Sequence, residues 1–189
     1  MEFRLHYRGQ LKSDSNKSSK WEHKHQIRQH IHKQMKELWQ QKPLKDYQCL
    51  LVGKDDETPP RFLRPIKKFI FVPLVNERIN LVTELKITLL RPEEPGFIVT
   101  QCGDLDNRLK TLLDALRMPK EEEMPKDSMP GEDENPFFCL LEDDNLVTRL
   151  AVETDRLLEP VEDTSEVELL IHVHTKVTRA TMDNISFGI

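Results

Sequence analysis

Residues 81–91 carry the most regular pattern in this chain, with polar and apolar positions that alternate from Glu84 to Leu89. One face would present Leu81, Thr83, Leu85, Ile87 and Leu89, and the other Glu84, Lys86 and Thr88. A repeat of two residues is typical of a β-strand with one buried face. The pattern therefore predicts a β-sheet with one side against a core, and the rest of the chain must supply that core.

Other segments repeat at strand or helix spacing. Residues 1–11 alternate in the same way, and residues 67–75, 148–158 and 165–177 predict further strands. Residues 137–147 return to apolar character after a polar loop. Helical spacing occurs twice, in Ile27, Ile31, Met35 and Leu38 within residues 20–41, and in Leu105, Leu109, Leu112, Leu113 and Leu116. The order strand, helix, strands, helix, strands predicts an α+β fold, with two main helices packed on a single mixed sheet.

The length and the loop composition predict one domain that spans residues 1–189. No internal repeat divides the chain, and 189 residues suffice for one core. Residues 42–66 are rich in proline and predict an irregular connection, with a short strand at 47–52. Residues 117–136 contain three Met-Pro pairs among many acids and predict a mobile loop that contributes nothing to the core.

Cysteine usage and hydropathy predict a cytoplasmic protein. Cys49, Cys102 and Cys139 are odd in number and far apart, which argues against a disulfide framework or a zinc site. The most apolar stretch, residues 69–75, is too short to span a bilayer, and an export signal is not evident. Without a glycine-rich phosphate loop, a nucleotide cofactor is not expected either.

The net charge of -5 is distributed unevenly. Residues 1–54 carry 12 Lys and Arg against 5 Asp and Glu, whereas residues 120–145 carry 2 against 10. A polyanion responds to the local field more than to the total charge, so a basic face can bind DNA in an acidic protein. The candidate phosphate contacts are Lys17, Lys20, Lys24 and Arg28. Charge alone is equally compatible with an ordinary solvated surface.

Histidines accompany these basic residues on the first helix. His23, His25, His30 and His32 lack the spacing of a tight metal pair, so solvated or phosphate-facing rings are expected. His172 and His174 share one face of the last strand, and a surface or interface position is expected for them.

The sequence GDLDNRLKTLLDAL, residues 103–116, places several charged side chains on the second helix. Asp104 and Asp106 lie at a strand-to-helix junction, where their carboxylates can converge on a hard cation. Asp143 or Asp144 would supply a third ligand, although an acidic pair before a strand is also typical of a turn. Asp106, Lys110 and Asp114 recur every four residues, which fits a row of functional groups or an ordinary ladder of ion pairs.

The string D-L-D-N-x-x-K-x-x-x-D-A-L, residues 104–116, followed by D-D-x-x-V at 143–147, resembles the signature of RusA-type Holliday-junction resolvases. The resemblance implies a homodimer that cuts four-way DNA junctions, with Mg²⁺ bound by Asp104, Asp106 and Asp144 and with cleavage assisted by Lys110. We add Asp143 as a possible further ligand, with Asn107 and Asp114 supporting the ligands.

The expected function is therefore a Mg²⁺-dependent, structure-selective endodeoxyribonuclease of recombination or repair. The alternative is a catalytically inactive protein of the same fold that binds DNA or assembles with a partner. The linker between the helix and Asp143 is longer and more acidic than the family pattern. We expect it to repel DNA, and we expect its replacement by a short linker to preserve the fold.

Overall fold

The computed structural model describes residues 1–12, 20–52, 61–93 and 105–187, and these form an α+β fold. In chain order the elements are β1 (Glu2–Gln10), α1 (Lys20–Leu38), α2 (Cys49–Val52), β2 (Arg64–Ile66), β3 (Phe69–Val75), β4 (Leu81–Arg91), α3 (Leu105–Leu116), β5 (Phe137–Leu141), β6 (Val147–Arg156) and β7 (Glu166–Val177). None of the helices in the described part is long and apolar enough to cross a bilayer.

Four strands form the large sheet, in the order β1-β7-β4-β6. β7 runs antiparallel to both β1 and β4, whereas β6 runs parallel to β4. The alternation predicted for β4 is confirmed, because Leu81, Leu85, Ile87 and Leu89 are all buried. One face of the large sheet therefore covers the core, and the other face, with Glu84 and Lys86, lies outside it.

The remaining strands form a separate small sheet, in the order β2-β3-β5, so the single sheet expected from the sequence is not what forms. β3 and β5 pair in parallel, and both consist of nearly continuous buried residues, FIFVPLV and FFCLL. Such runs are typical of strands covered on both faces. A turn at Asn76–Asn80, with Asn80 at φ 52°, carries the chain from the small sheet into β4.

The two main helices pack against this core and against each other. The predicted apolar stripe of α1 is confirmed, since Ile27, Ile31 and Met35 are buried and Leu38 packs against the core. In α3, Leu112 and Leu116 are buried, and the other three leucines of the stripe are partly buried against the same core. The spacing of the apolar residues therefore predicted correctly which face of each helix is buried.

The connection at 42–66 contains short helical turns where we expected a strand. Residues 44–47 form a 3-10 turn and Cys49–Val52 form α2. Tyr47 packs against Phe187, with ring centroids 4.7 Å apart, and its hydroxyl donates to Ser186. A short apolar run is compatible with a helix or a strand, and the choice depends on the partners that the fold provides.

Residues 117–136, here called the acidic segment, are attached to the body of the protein. Met124 is buried in a cluster with Phe69, Phe71 and Phe137, and its carbonyl accepts a hydrogen bond from Lys67 Nζ at 2.6 Å. The expectation that this segment supplies no core residue is therefore wrong. Whether the segment moves in solution stays a prediction.

Candidate active site

The first half of α3 presents the motif side chains to solvent. Asp106, Asn107 and Lys110 are exposed, and Asp106 and Lys110 lie one turn apart on the same face. Asp104 directly precedes α3 and is outside the described residues. The leucine stripe fixes this orientation, because its burial leaves the opposite face of the helix open.

Asp114 belongs to a different environment at the other end of α3. It is buried, and its carboxylate accepts hydrogen bonds from Lys24 Nζ and from Arg117 Nη2, both at 2.7 Å. Burial acts to raise the pKa of Asp114, but the hydrogen bond from Lys24 and the charge of Arg117 outweigh burial and hold the pKa below its usual value. Asp114 therefore does not share the solvent-exposed surface of Asp106 and Lys110, because its ion pairs join α3 to α1.

Asp143 and Asp144 form a carboxyl pair directly after β5. Asp143 caps the 3-10 turn Asp144–Leu146, because its Oδ1 accepts a hydrogen bond from the Asn145 N–H at 3.1 Å. That hydrogen bond lowers the pKa of Asp143. Burial raises the pKa of Asp144, and the hydrogen bond with Asp143 and the charge of Asp143 raise it further. The pair therefore holds a shared proton more readily than an isolated aspartate would.

The carboxyl pair lies next to the C-terminal end of α3. The Met118 N–H donates to the Leu141 carbonyl at 2.9 Å, which ties the end of β5 to the residues that follow the helix. The charges of Arg117 and Asp114 reach Asp144 from there. The structure thus brings Asp143, Asp144 and Asp114 into one electrostatic neighbourhood.

A complete metal site is not assembled by the described part of the chain. Within it, no group of three His, Cys, Asp or Glu side chains could hold a metal ion. The chemistry of the Asp143–Asp144 pair nevertheless fits Mg²⁺, because two adjacent carboxylates offer the oxygen ligands that a hard cation takes. Asp104, the first residue of the motif, is the ligand on which the predicted set depends and is not described.

The candidate phosphate contacts on α1 are engaged inside the protein. The Arg28 side chain is 3% exposed, and its guanidinium donates to the Asp114 and Arg117 carbonyls at 2.8 and 3.4 Å. Burial lowers the pKa of Arg28 to about 10. Lys24 is paired with Asp114, Lys17 is not described, and nothing is described of the Lys20 side chain. The expectation that Arg28 is open to phosphate is wrong, because α3 covers this side of α1.

Two α1 histidines are also interior, contrary to the expectation of solvated rings. His32 accepts a hydrogen bond from the Phe138 N–H at 2.8 Å through Nδ1, and its Nε2 lies 2.9 Å from the Asp133 carbonyl. This arrangement requires a neutral ring that is protonated on Nε2. His25 stacks on Trp21 and lies 3.5 Å from Glu134. Burial lowers the pKa of both histidines.

His172 and His174, in contrast, lie half exposed on the outer face of the large sheet, as expected. Their Nε2 atoms lie 3.4 and 3.9 Å from the carboxylate of Glu2. They share a shallow depression of about 190 Å³ with Glu84, Lys86 and Arg149. Charges of both signs line it, so it does not select for an anion or a cation.

Arg117 is the residue of this region that sequence reasoning missed. It pairs with Asp114 and with Glu123 at 2.7 and 2.6 Å, and so links the helix to the acidic segment. Its spacing of three residues from Asp114 is a signal for a helical ion pair, but the partner Glu123 could not have been inferred from spacing. No protein-family model matches this chain, and neither a curated protein nor a solved structure is significantly similar to it.

Proposed function

We propose that this protein is a Mg²⁺-dependent endodeoxyribonuclease that hydrolyses phosphodiester bonds of branched DNA in recombination or repair. The Asp143–Asp144 pair carries the proposal, because these two adjacent carboxylates lie directly after β5, next to the end of α3, and burial and Asp143 raise the pKa of Asp144. Perturbed carboxyl groups of this kind are typical of functional sites. The exposed Asp106 and Lys110 on α3 add an acid and a cation of the same motif.

Each side chain has a distinct task in this proposal. Asp104, Asp106 and Asp144 would hold Mg²⁺, with Asp143 beside them. The ion, when bound, would lower the pKa of a bound water and offset negative charge on the leaving oxygen. Lys110 would stabilise charge on the phosphoryl oxygens, and Asn107 would orient a carboxylate.

The proposal also covers the residues that would contact DNA, the oligomeric state and the cellular compartment. Since Arg28 is enclosed and Lys24 is paired with Asp114, phosphate contacts fall to Lys17, Lys20 and exposed cations such as Lys33. A homodimer would place two sites on the two halves of a four-way junction. Cys49 and Cys139 are free thiols, in keeping with a reducing cytoplasm.

The test is cleavage of a labelled four-way junction and of a linear duplex, each with Mg²⁺ and with EDTA. Asp106→Asn and Asp144→Asn should each lower the Mg²⁺-dependent rate by about 100-fold or more, because a ligand to the ion is lost. Junction binding should remain, since removing an acid lowers the repulsion of DNA. Asp127→Asn, an exposed acid of the acidic segment, is the control and should retain the parent rate. Parent rates in both site variants would contradict the proposal.

The second candidate is a catalytically inactive protein of the same fold that binds DNA or assembles with a partner. It is favoured by one observation, namely that Asp114 of the motif is buried in ion pairs with Lys24 and Arg117, as a residue with a purely structural role would be. In that case the parent protein would bind the junction without cutting it, with or without Mg²⁺. The same assay therefore separates the two candidates.

A further inference from the structure

The free side of β6 is a strand edge that other described residues leave open. β6 pairs with β4 along one side, and it is the last strand of the large sheet in the described part of the chain. Unpaired N–H and C=O groups along such an edge are a template for another strand. Leu150, at 40% exposure, lies on this strand, where it extends the core-facing side of the sheet beyond β4.

The protein covers its other strand edges by specific contacts. At β1, the side-chain amide of Gln34 accepts from the His6 N–H at 2.9 Å and donates to the His6 carbonyl at 2.6 Å, as a neighbouring strand would. At β5, the residues after α3 bind the Leu141 carbonyl. β2 is only three residues long and contains Pro65. Within the described residues, β6 is thus the long edge without comparable protection.

The centre of β6 is complementary to itself when two copies run antiparallel. Its register with β4 places Arg149, Ala151 and Glu153 on the outer face and Leu150 and Val152 on the core-facing side. With Ala151 opposite Ala151, each Arg149 lies opposite a Glu153 and each Leu150 opposite a Val152. Both faces are then matched, one by opposite charges and the other by apolar contact.

We propose that β6 pairs antiparallel with β6 of a second copy of this chain, in the register centred on Ala151, to form one continuous sheet of eight strands. Glu153 forms an ion pair with Lys86 on the outer face, at 3.0 Å. In this position its carboxylate can also pair with Arg149 of the partner subunit. Arg149 lines the same shallow depression as Glu84 and lowers the pKa of that carboxylate, but among the described residues it forms no ion pair within 4 Å. This interface deepens the homodimer of the proposed function and rests on it; sedimentation tests the dimer, whereas the cleavage assay tests the nuclease activity separately.

A shift of the register would mismatch the strands. Centring the pair on Val152 instead would place Glu153 opposite Ala151 and Leu150 opposite Thr154, while Arg149 would lie opposite Asp155. Asp155 therefore distinguishes the two registers, since only the shifted one uses it. In the proposed register Asp155 lies opposite Val147, and its charge has no role.

Sedimentation over a range of protein concentrations tests the proposal by charge exchange. A contact made by one pair of strands is at the small end of protein interfaces, so the dimer should dissociate on dilution. Arg149→Glu and Glu153→Arg each place like charges opposite each other twice, and each should weaken dimerisation by about tenfold. The double exchange Arg149→Glu with Glu153→Arg restores the pairing and should return the dimer to within about threefold of the parent.

Asp155→Lys is the matched control, an exposed charge reversal on the same strand, and should leave dimerisation unchanged. Unfolding of each variant in urea verifies that the fold is intact. A parent protein that stays monomeric at every concentration would overturn the proposal. So would single exchanges that leave the dimer unchanged, a double exchange that fails to restore it, or a dimer weakened by Asp155→Lys.

Discussion

Two aspartates of α3 show how differently neighbouring motif residues can be used. Asp106 is exposed on the first turn, where its charge is available to a ligand. Asp114 is buried between Lys24 and Arg117, where its charge balances two cations. Removing one member of a buried ion pair leaves an uncompensated charge, whereas removing an exposed carboxylate costs little. The two residues should therefore separate stability from activity.

Asp114→Asn should lower the free energy of unfolding by about 3 kcal/mol, because Lys24 loses its carboxylate and Arg117 keeps only Glu123. Asp106→Asn should change it by less than about 0.5 kcal/mol. Urea unfolding at neutral pH measures both values. Equal effects of the two substitutions would contradict the division of roles.

The acidic segment functions as an element that is folded onto α1 and the small sheet. Asp133 pairs with Lys36 at 2.9 Å, and Glu134 accepts a hydrogen bond from Gln29 at 2.5 Å. Glu123 anchors the other end of the segment on Arg117. Replacing residues 119–134 by a short linker would delete these contacts together with Met124. We therefore no longer expect such a replacement to preserve the fold.

Two methionines of this segment provide a matched test. Met124 is 4% exposed among phenylalanine rings, and Met129 is 61% exposed. Met124→Ala should lower the free energy of unfolding by about 2–3 kcal/mol, because it removes buried apolar surface and leaves a cavity. Met129→Ala should have an effect close to zero. Comparable losses, measured by urea unfolding, would mean that the segment is not packed as described.

Across the whole molecule, α1 is an interior element whose charged and aromatic side chains join several parts of the fold. Its histidines contact the acidic segment and the small sheet, with Asp133, Glu134, Lys36 and Arg28 as the charged groups around them. Burial lowers the pKa of His25, His30 and His32. The unfolded chain therefore binds more protons than the folded protein at mildly acidic pH, and acid should destabilise the fold.

The stability contributed by these neutral rings should be complete above the ordinary histidine pKa of 6.5 and decline as the pH falls below it. Urea unfolding at pH 7.5 and at pH 5.5 should show the loss, at a pH above the range in which the carboxylates with lowered pKa values titrate. His32→Asn should reduce the difference between the two pH values, because the substituted residue does not titrate. An identical difference in parent and variant would exclude His32 as a contributor.

Local pattern was sufficient for the two main helices and for the long strands, because periodicity is a property of neighbouring residues, but it failed at residues 47–52, where helical turns form. The alternation of β4 and the apolar stripes of α1 and α3 correctly predicted which side chains are buried. Sequence also identified Asp106 and Lys110 as an exposed pair on one helix face, since the leucines determine which face turns inward. The assignment of these two residues to a metal site stays a prediction.

Contacts between residues that are distant along the chain could be determined only from the tertiary structure. The division of the strands into two sheets depends on which backbones meet, and no local spacing encodes that choice. The sequence placed Arg28 on the exposed face of α1. In the structure, α3 and the residue that follows it cover this face and supply the carbonyl acceptors of its guanidinium. The burial of a side chain and the charges around it depend on the folded structure. Residues of the same type are therefore ion-pair partners inside the fold and candidate ligands at its surface.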